Sequence, residues 1–65
     1  MATLDALKAV REWMHDDEPR PSDDDFVTAI SVLMAEWRTY TRNGMDVLAS
    51  ACLDEVREIV DNLQP

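Results

Sequence analysis

The chain has 65 residues, fourteen acidic and six basic, for a net charge of -8, with one cysteine, one histidine and one glycine. A length of 65 predicts one small domain, burying only about 60% of the surface its unfolded chain exposes, and rules against a multi-domain enzyme. One cysteine and one histidine supply neither an internal disulfide nor the four ligands of a structural zinc site, and the acidic balance argues against nucleic acid or anionic lipid as a partner.

Stability must then come from well-packed helices, self-association or a partner. An apolar content of 46% is too high for intrinsic disorder, and its spacing is helical. The chain begins Met1-Ala2-Thr3-Leu4 without a basic n-region or a long apolar stretch, so no signal or transit peptide is expected. The expected location is cytoplasmic, where a reduced thiol is normal.

Thr3 is the expected N-cap of a first helix over about 4–15, with Leu4, Leu7, Val10, Trp13 and Met14 on one face and Ala6 beside them. Asp5, Lys8, Arg11 and Glu12 fall opposite. The helix is expected to stop before Asp16-Asp17-Glu18-Pro19-Arg20-Pro21, because two prolines impose extended geometry on the residues before them. Residues 16–22 form an acidic connector.

A second helix is expected over about 23–42. Ser22 is its cap, and Asp23, Asp24 and Asp25 lie at the positive end of its dipole. Phe26, Ile30, Leu33, Trp37 and Tyr40 form its stripe, widened by Val27, Ala29 and Met34 to roughly 160°. One neighbouring helix would not cover that width, which makes this the central helix, flanked by the other two or by a second subunit. Asn43-Gly44 ends it, with glycine suited to a left-handed C-cap.

The third helix is expected over about 46–63, with Leu48, Cys52, Val56, Ile59 and Leu63 on the buried face and Ala49, Leu53 and Val60 flanking them. Two helices of matched length joined by a short turn imply an antiparallel hairpin. The expected fold is all-α: a small three-helix bundle in which a shorter first helix accompanies a long antiparallel hairpin of helices two and three. Trp13, Trp37, Tyr40, Met14, Met34 and Met45 are assigned to the core, and Val32 and Val47 to the outside. The aromatic and methionine set also suits an interface hot spot. Arg38 and Arg42, with Thr39 and Thr41, form a solvated edge on helix two.

Charge is unevenly divided. Residues 1–15 sum to 0, residues 16–25 to -5, residues 26–43 to +1 and residues 44–65 to -4. In the connector region Asp16, Asp17, Glu18, Asp23, Asp24 and Asp25 are opposed only by Arg20. On helix three, Asp54, Glu58 and Asp61 lie within about 60° of one another, with Glu55 at the margin. A helix N-terminus favours Asp23, Asp24 and Asp25. By contrast, Asp16, Asp17 and Glu18 follow the end of helix one, where the dipole disfavours them. Solubility accounts for them as well as a partner does. The ridge of helix three suits a solvated face, although like charges such as Asp54 and Glu58 at i,i+4 repel by a few tenths of a kcal/mol.

Residues with conventional catalytic chemistry are few. Cys52 falls on the buried stripe as a small hydrophobe, and His15 sits where a helix C-terminus favours a cation. The stretch 16–25 lacks the glycine and terminal glutamate of an EF-hand, and a single glycine makes no phosphate loop. No catalytic residue, metal site or cofactor is expected, and the chain reads as a non-enzyme.

Carboxylates at 54, 58 and 61 rise by about 6 Å and then about 4.5 Å along a helix, comparable to phosphates along a strand. A short, helical, acidic chain with the segments DDEPRPSDDD and LDEVREIVD resembles, at the level of type, the small phage-encoded inhibitors that include anti-CRISPR proteins. The resemblance implies an inhibitor that occludes a basic nucleic-acid-binding surface by DNA mimicry, blocking target-DNA or PAM recognition by a Cas complex. Its implied contacts are Asp16, Asp17, Glu18, Asp23, Asp24, Asp25, Asp54, Glu55, Glu58 and Asp61. The expected partner is the basic surface of a nucleic-acid-binding effector, with no direct contact to nucleic acid or membrane. An alternative is a helical dimerisation or adaptor module, in which a second copy or a partner helix completes the wide apolar face of helix two. Salt adaptation is a third reading of the acidity.

Overall fold

The computed structural model describes residues 3–64, with side chains from Asp5 onward. The fold is all-α, as expected: α1 spans Thr3–Asp16, α2 Asp23–Arg42 and α3 Asp46–Leu63, with no strand among the described residues. The side chains of Thr3, the expected cap, and Leu4, the first residue of the expected stripe, lie outside the described residues. The chain divides into two compact units, residues 1–32 and 33–65, with the first half of α2 in one and the second half in the other.

In the first unit, Ala6, Leu7 and Val10 of α1 and Phe26 and Ala29 of α2 are buried. They recur at i, i+3 and i+4, the period that gathers side chains on one helix face. The Trp13 ring packs edge-on against Phe26, with centroids 5.2 Å apart and planes at 78°, the arrangement that aligns the positive edge of one ring with the negative face of another. Opposite the apolar face, Lys8 and Glu12 pair at 3.9 Å across one turn of α1, an exposed pair of small energetic weight.

In the second unit the core is Leu33 of α2 with Ala49, Cys52 and Ile59 of α3. The α2–α3 turn is a Schellman motif: Met45 N–H donates to Tyr40 O (2.8 Å) and Gly44 N–H to Thr41 O (3.2 Å), with Gly44 at φ 72°. These bonds satisfy α2 carbonyls that the end of the helix leaves open, and the left-handed residue they require is the chain's single glycine. The chain reverses here, and α3 returns antiparallel to α2. The Cys52 thiol donates to Glu36 Oε2 across the hairpin, Sγ to oxygen 3.9 Å.

Several expected core positions are open. Val27 is 64% exposed because it lies about 100° around α2 from Phe26, beyond the buried arc. Leu53 and Val60, 42% and 39% exposed, flank the Ala49–Cys52–Ile59 stripe at angles that bury neither fully. Leu48 points to the same side as Ile59, yet it is 47% exposed in the first turn of α3 although the adjacent Ala49 is buried. Met45, assigned to the core, is an exposed turn residue, whereas Val32, assigned to the outside, is half-buried. Val47 faces outward as expected. Trp13, Met14, Met34, Trp37 and Tyr40 are half-buried.

Candidate functional site: two acidic surfaces

The first acidic surface is built on the connector. α1 runs one residue past the expected end, to Asp16, and the next residue, Asp17, takes a left-handed conformation at φ 57°. Asp is among the few non-glycine residues that tolerate this region. Asp17 therefore has a conformational reason to follow the helix that dipole electrostatics does not provide.

Beyond it the chain is anchored. Pro21 is buried. Ser22 caps α2 with both of its oxygens: Oγ accepts Asp25 N–H (3.3 Å) and the carbonyl accepts Phe26 N–H (3.2 Å). Arg20 reaches forward to Asp23, Nη2 to Oδ1 3.3 Å, and places its guanidinium carbon 5.1 Å from the centroid of the Phe26 ring. The connector's single base thus holds the segment against the start of α2.

What remains outward is the acid. Asp16, Asp17, Glu18, Asp23 and Asp24 are exposed and Asp25 is half-buried. Arg20 engages Asp23, and the net charge of residues 16–25 remains -5. The fold presents these carboxylates on a segment tied down by a buried proline, a cap and an aromatic contact.

The second surface is on α3. Asp54, Glu58 and Asp61 are exposed on one face, and Glu55 is half-buried. Asn62 Nδ2 donates to Glu58 O at 2.8 Å, a bond one turn back along the helix. The face is not purely acidic: Val47, 83% exposed, lines a shallow, open depression together with Asp46, Ser50, Ala51 and Asp54. The helical period places Val47 outward, but it does not show that Val47 shares one depression with Asp46 and Asp54. The structure thus gathers the ten expected contact residues into one group at 16–25 and another at 54–61, each in its own unit.

Among the described residues no group of three or more His, Cys, Asp or Glu side chains is arranged to hold a metal ion, and no helix is long and apolar enough to cross a membrane. His15 is exposed in the last turn of α1, where a cation meets the negative end of the helix dipole. Cys52 is buried against Glu36. No protein-family model matches the chain, and no curated protein or solved structure shows significant similarity to it.

Proposed function

We propose that this protein is an acidic protein-binding inhibitor that occludes a basic nucleic-acid-binding surface, with its carboxylates taking the place of phosphates. The observation that carries the reading is the anchored connector: five exposed carboxylates stand on a segment held by Pro21, the Ser22 cap and the Arg20–Phe26 contact. A pre-ordered charged surface loses less entropy on binding than a flexible tail does. The α3 ridge adds carboxylates at helical spacing. An anti-CRISPR protein that blocks target-DNA or PAM recognition by a Cas complex is the specific form of this reading.

The test is competition with labelled duplex DNA for Cas effector complexes over a salt series. Displacement should weaken steeply as salt rises, since steering between opposite charges is screened within a Debye length of about 10 Å at 0.1 M. Reversing Asp16, Asp17 and Glu18 to lysine, and separately Asp54, Glu58 and Asp61, should abolish displacement while leaving the helical circular dichroism intact. Displacement that survives reversal of both groups sinks the reading.

A second reading is supported by the exposed apolar residues of α3: Leu48, Leu53 and Val60, with Met45 before them. A helical dimerisation or adaptor module would cover them. Sedimentation equilibrium distinguishes the two: a dimer that Leu53→Asp and Val60→Asp together convert to monomer favours this reading, and a monomer throughout favours the first.

A further inference from the structure

The turn between α2 and α3 contains two consecutive residues whose groups are capable of reacting with each other, Asn43 and Gly44. Asn43 carries a side-chain amide, and the next backbone nitrogen belongs to Gly44, whose lack of a side chain leaves that nitrogen unhindered. Both residues are exposed, and a Cβ built on Gly44 would meet nothing within 4 Å. In the folded chain both reacting groups are engaged. Asn43 Nδ2 donates to Thr39 O at 3.0 Å, and Gly44 N–H donates to Thr41 O at 3.2 Å. The backbone N–H of Asn43 also donates to Thr39 O, at 3.1 Å, which keeps this residue in the helical path.

We propose that Asn43–Gly44 is a deamidation site gated by the helix cap: the Schellman motif that ends α2 also holds nucleophile and electrophile apart, and opening the cap releases them to react. In the open state the Gly44 nitrogen attacks Cγ of Asn43. A nitrogen–carbon bond forms, the bond from Cγ to Nδ2 breaks, and ammonia leaves with the proton lost from the Gly44 nitrogen, closing a succinimide. Water then adds at either carbonyl and opens the ring to aspartate or isoaspartate. Nothing is oxidised or reduced, and water is the sole co-reactant.

The product does not rebuild the cap. Isoaspartate adds a methylene to the main chain between residues 43 and 44, which displaces the Gly44 and Met45 N–H groups from Thr41 O and Tyr40 O. Aspartate keeps the backbone but loses the Nδ2 donor and adds a negative charge at the C-terminus of α2, where the dipole disfavours it. Each opening therefore carries a chance of uncapping the hairpin irreversibly. Asn62, the other asparagine, is a built-in control. Its Nδ2 makes the same bond one turn back, to Glu58 O at 2.8 Å, but the residue after it is Leu63, whose side chain crowds the nitrogen.

The experiment incubates the full chain in mildly alkaline buffer, with and without denaturing urea. Circular dichroism verifies the folded state, and peptide mapping by mass spectrometry locates the one-dalton gain. Conversion at Asn43 is expected to be at least about tenfold slower in the folded chain than in urea, a ratio equivalent to about 1.4 kcal/mol of cap opening. Asn62 should convert more slowly than Asn43 in urea, and Asn43→Gln should remove the fast product. Folded and unfolded rates within about twofold of each other would show that the cap gates nothing. Equal conversion at Asn62 and Asn43 in urea would show that the glycine confers no reactivity.

Discussion

Trp13 and Phe26 meet edge to face, 5.2 Å between centroids, while the guanidinium of Arg20 lies 5.1 Å from the centroid of that same Phe26 ring. Phe26 therefore joins α1, the connector and α2 in a single cluster. The acidic segment between the helices owes its position to an aromatic residue outside it.

Truncating that ring should be the most damaging change in the first unit. Phe26 is 4% exposed, so Phe26→Ala should cost about 3–5 kcal/mol in urea unfolding. Phe26→Leu, which keeps most of the volume and loses the ring contacts, should cost roughly 1–2 kcal/mol. Equal losses for the two would mean that the aromatic geometry contributes nothing beyond bulk.

Arg20 makes two contacts of different salt sensitivity. Its side chain is 57% exposed and that of Asp23 88%, so the ion pair should contribute less than about 1 kcal/mol and fade with salt. The ring contact should persist. Arg20→Ala is expected to lower stability by about 1 kcal/mol in low salt, and a measurable part of that loss should remain in 1 M sodium chloride (about a 3 Å Debye length). A loss that vanishes entirely in high salt would assign the whole effect to Asp23.

Among the described residues Gly44 and Asp17 take positive φ, and substitutions at the two should have opposite effects. Gly44, at φ 72°, has open space around it, so Gly44→Ala should destabilise by about 1 kcal/mol through backbone strain alone. Asp17, at φ 57°, already bears that strain, and Asp17→Gly should stabilise by roughly 0.5–1 kcal/mol. Thermal unfolding of the two variants beside the parent chain provides the comparison.

Neighbouring residues on α3 should differ sharply. Ile59 is fully buried and Val60 is 39% exposed, so Ile59→Ala should cost about 2–5 kcal/mol and Val60→Ala no more than about 1 kcal/mol. Comparable losses would place Val60 in an interface that the single chain does not contain.

The number of helices, their order and nearly all of their ends can be read from the amino-acid sequence, because each end is a local event. Ser22 followed by three aspartates starts α2, Asn43-Gly44 stops it, and the prolines at 19 and 21 keep α1 and α2 apart. Each signal acts within about one helical turn, through a hydrogen bond or a backbone angle that belongs to the residue itself. The acidic residues were equally legible, since net charge by segment needs no coordinates.

Periodicity by itself places a residue only on a helix face. Whether Leu48, Leu53 or Val60 is covered as Ile59 is depends on how far along α3 the packing extends and how wide its covered arc is. The meeting of Cys52 with Glu36 and of Arg20 with Phe26 likewise depends on which side chains the folded chain brings within reach. Such contacts arise from packing between segments and leave no local signature in composition or spacing. Local signals along the chain specify three helices and two concentrations of acid. That the connector's acid stands on an anchored segment is a result of packing, because what anchors it is the ring of Phe26, in the following helix.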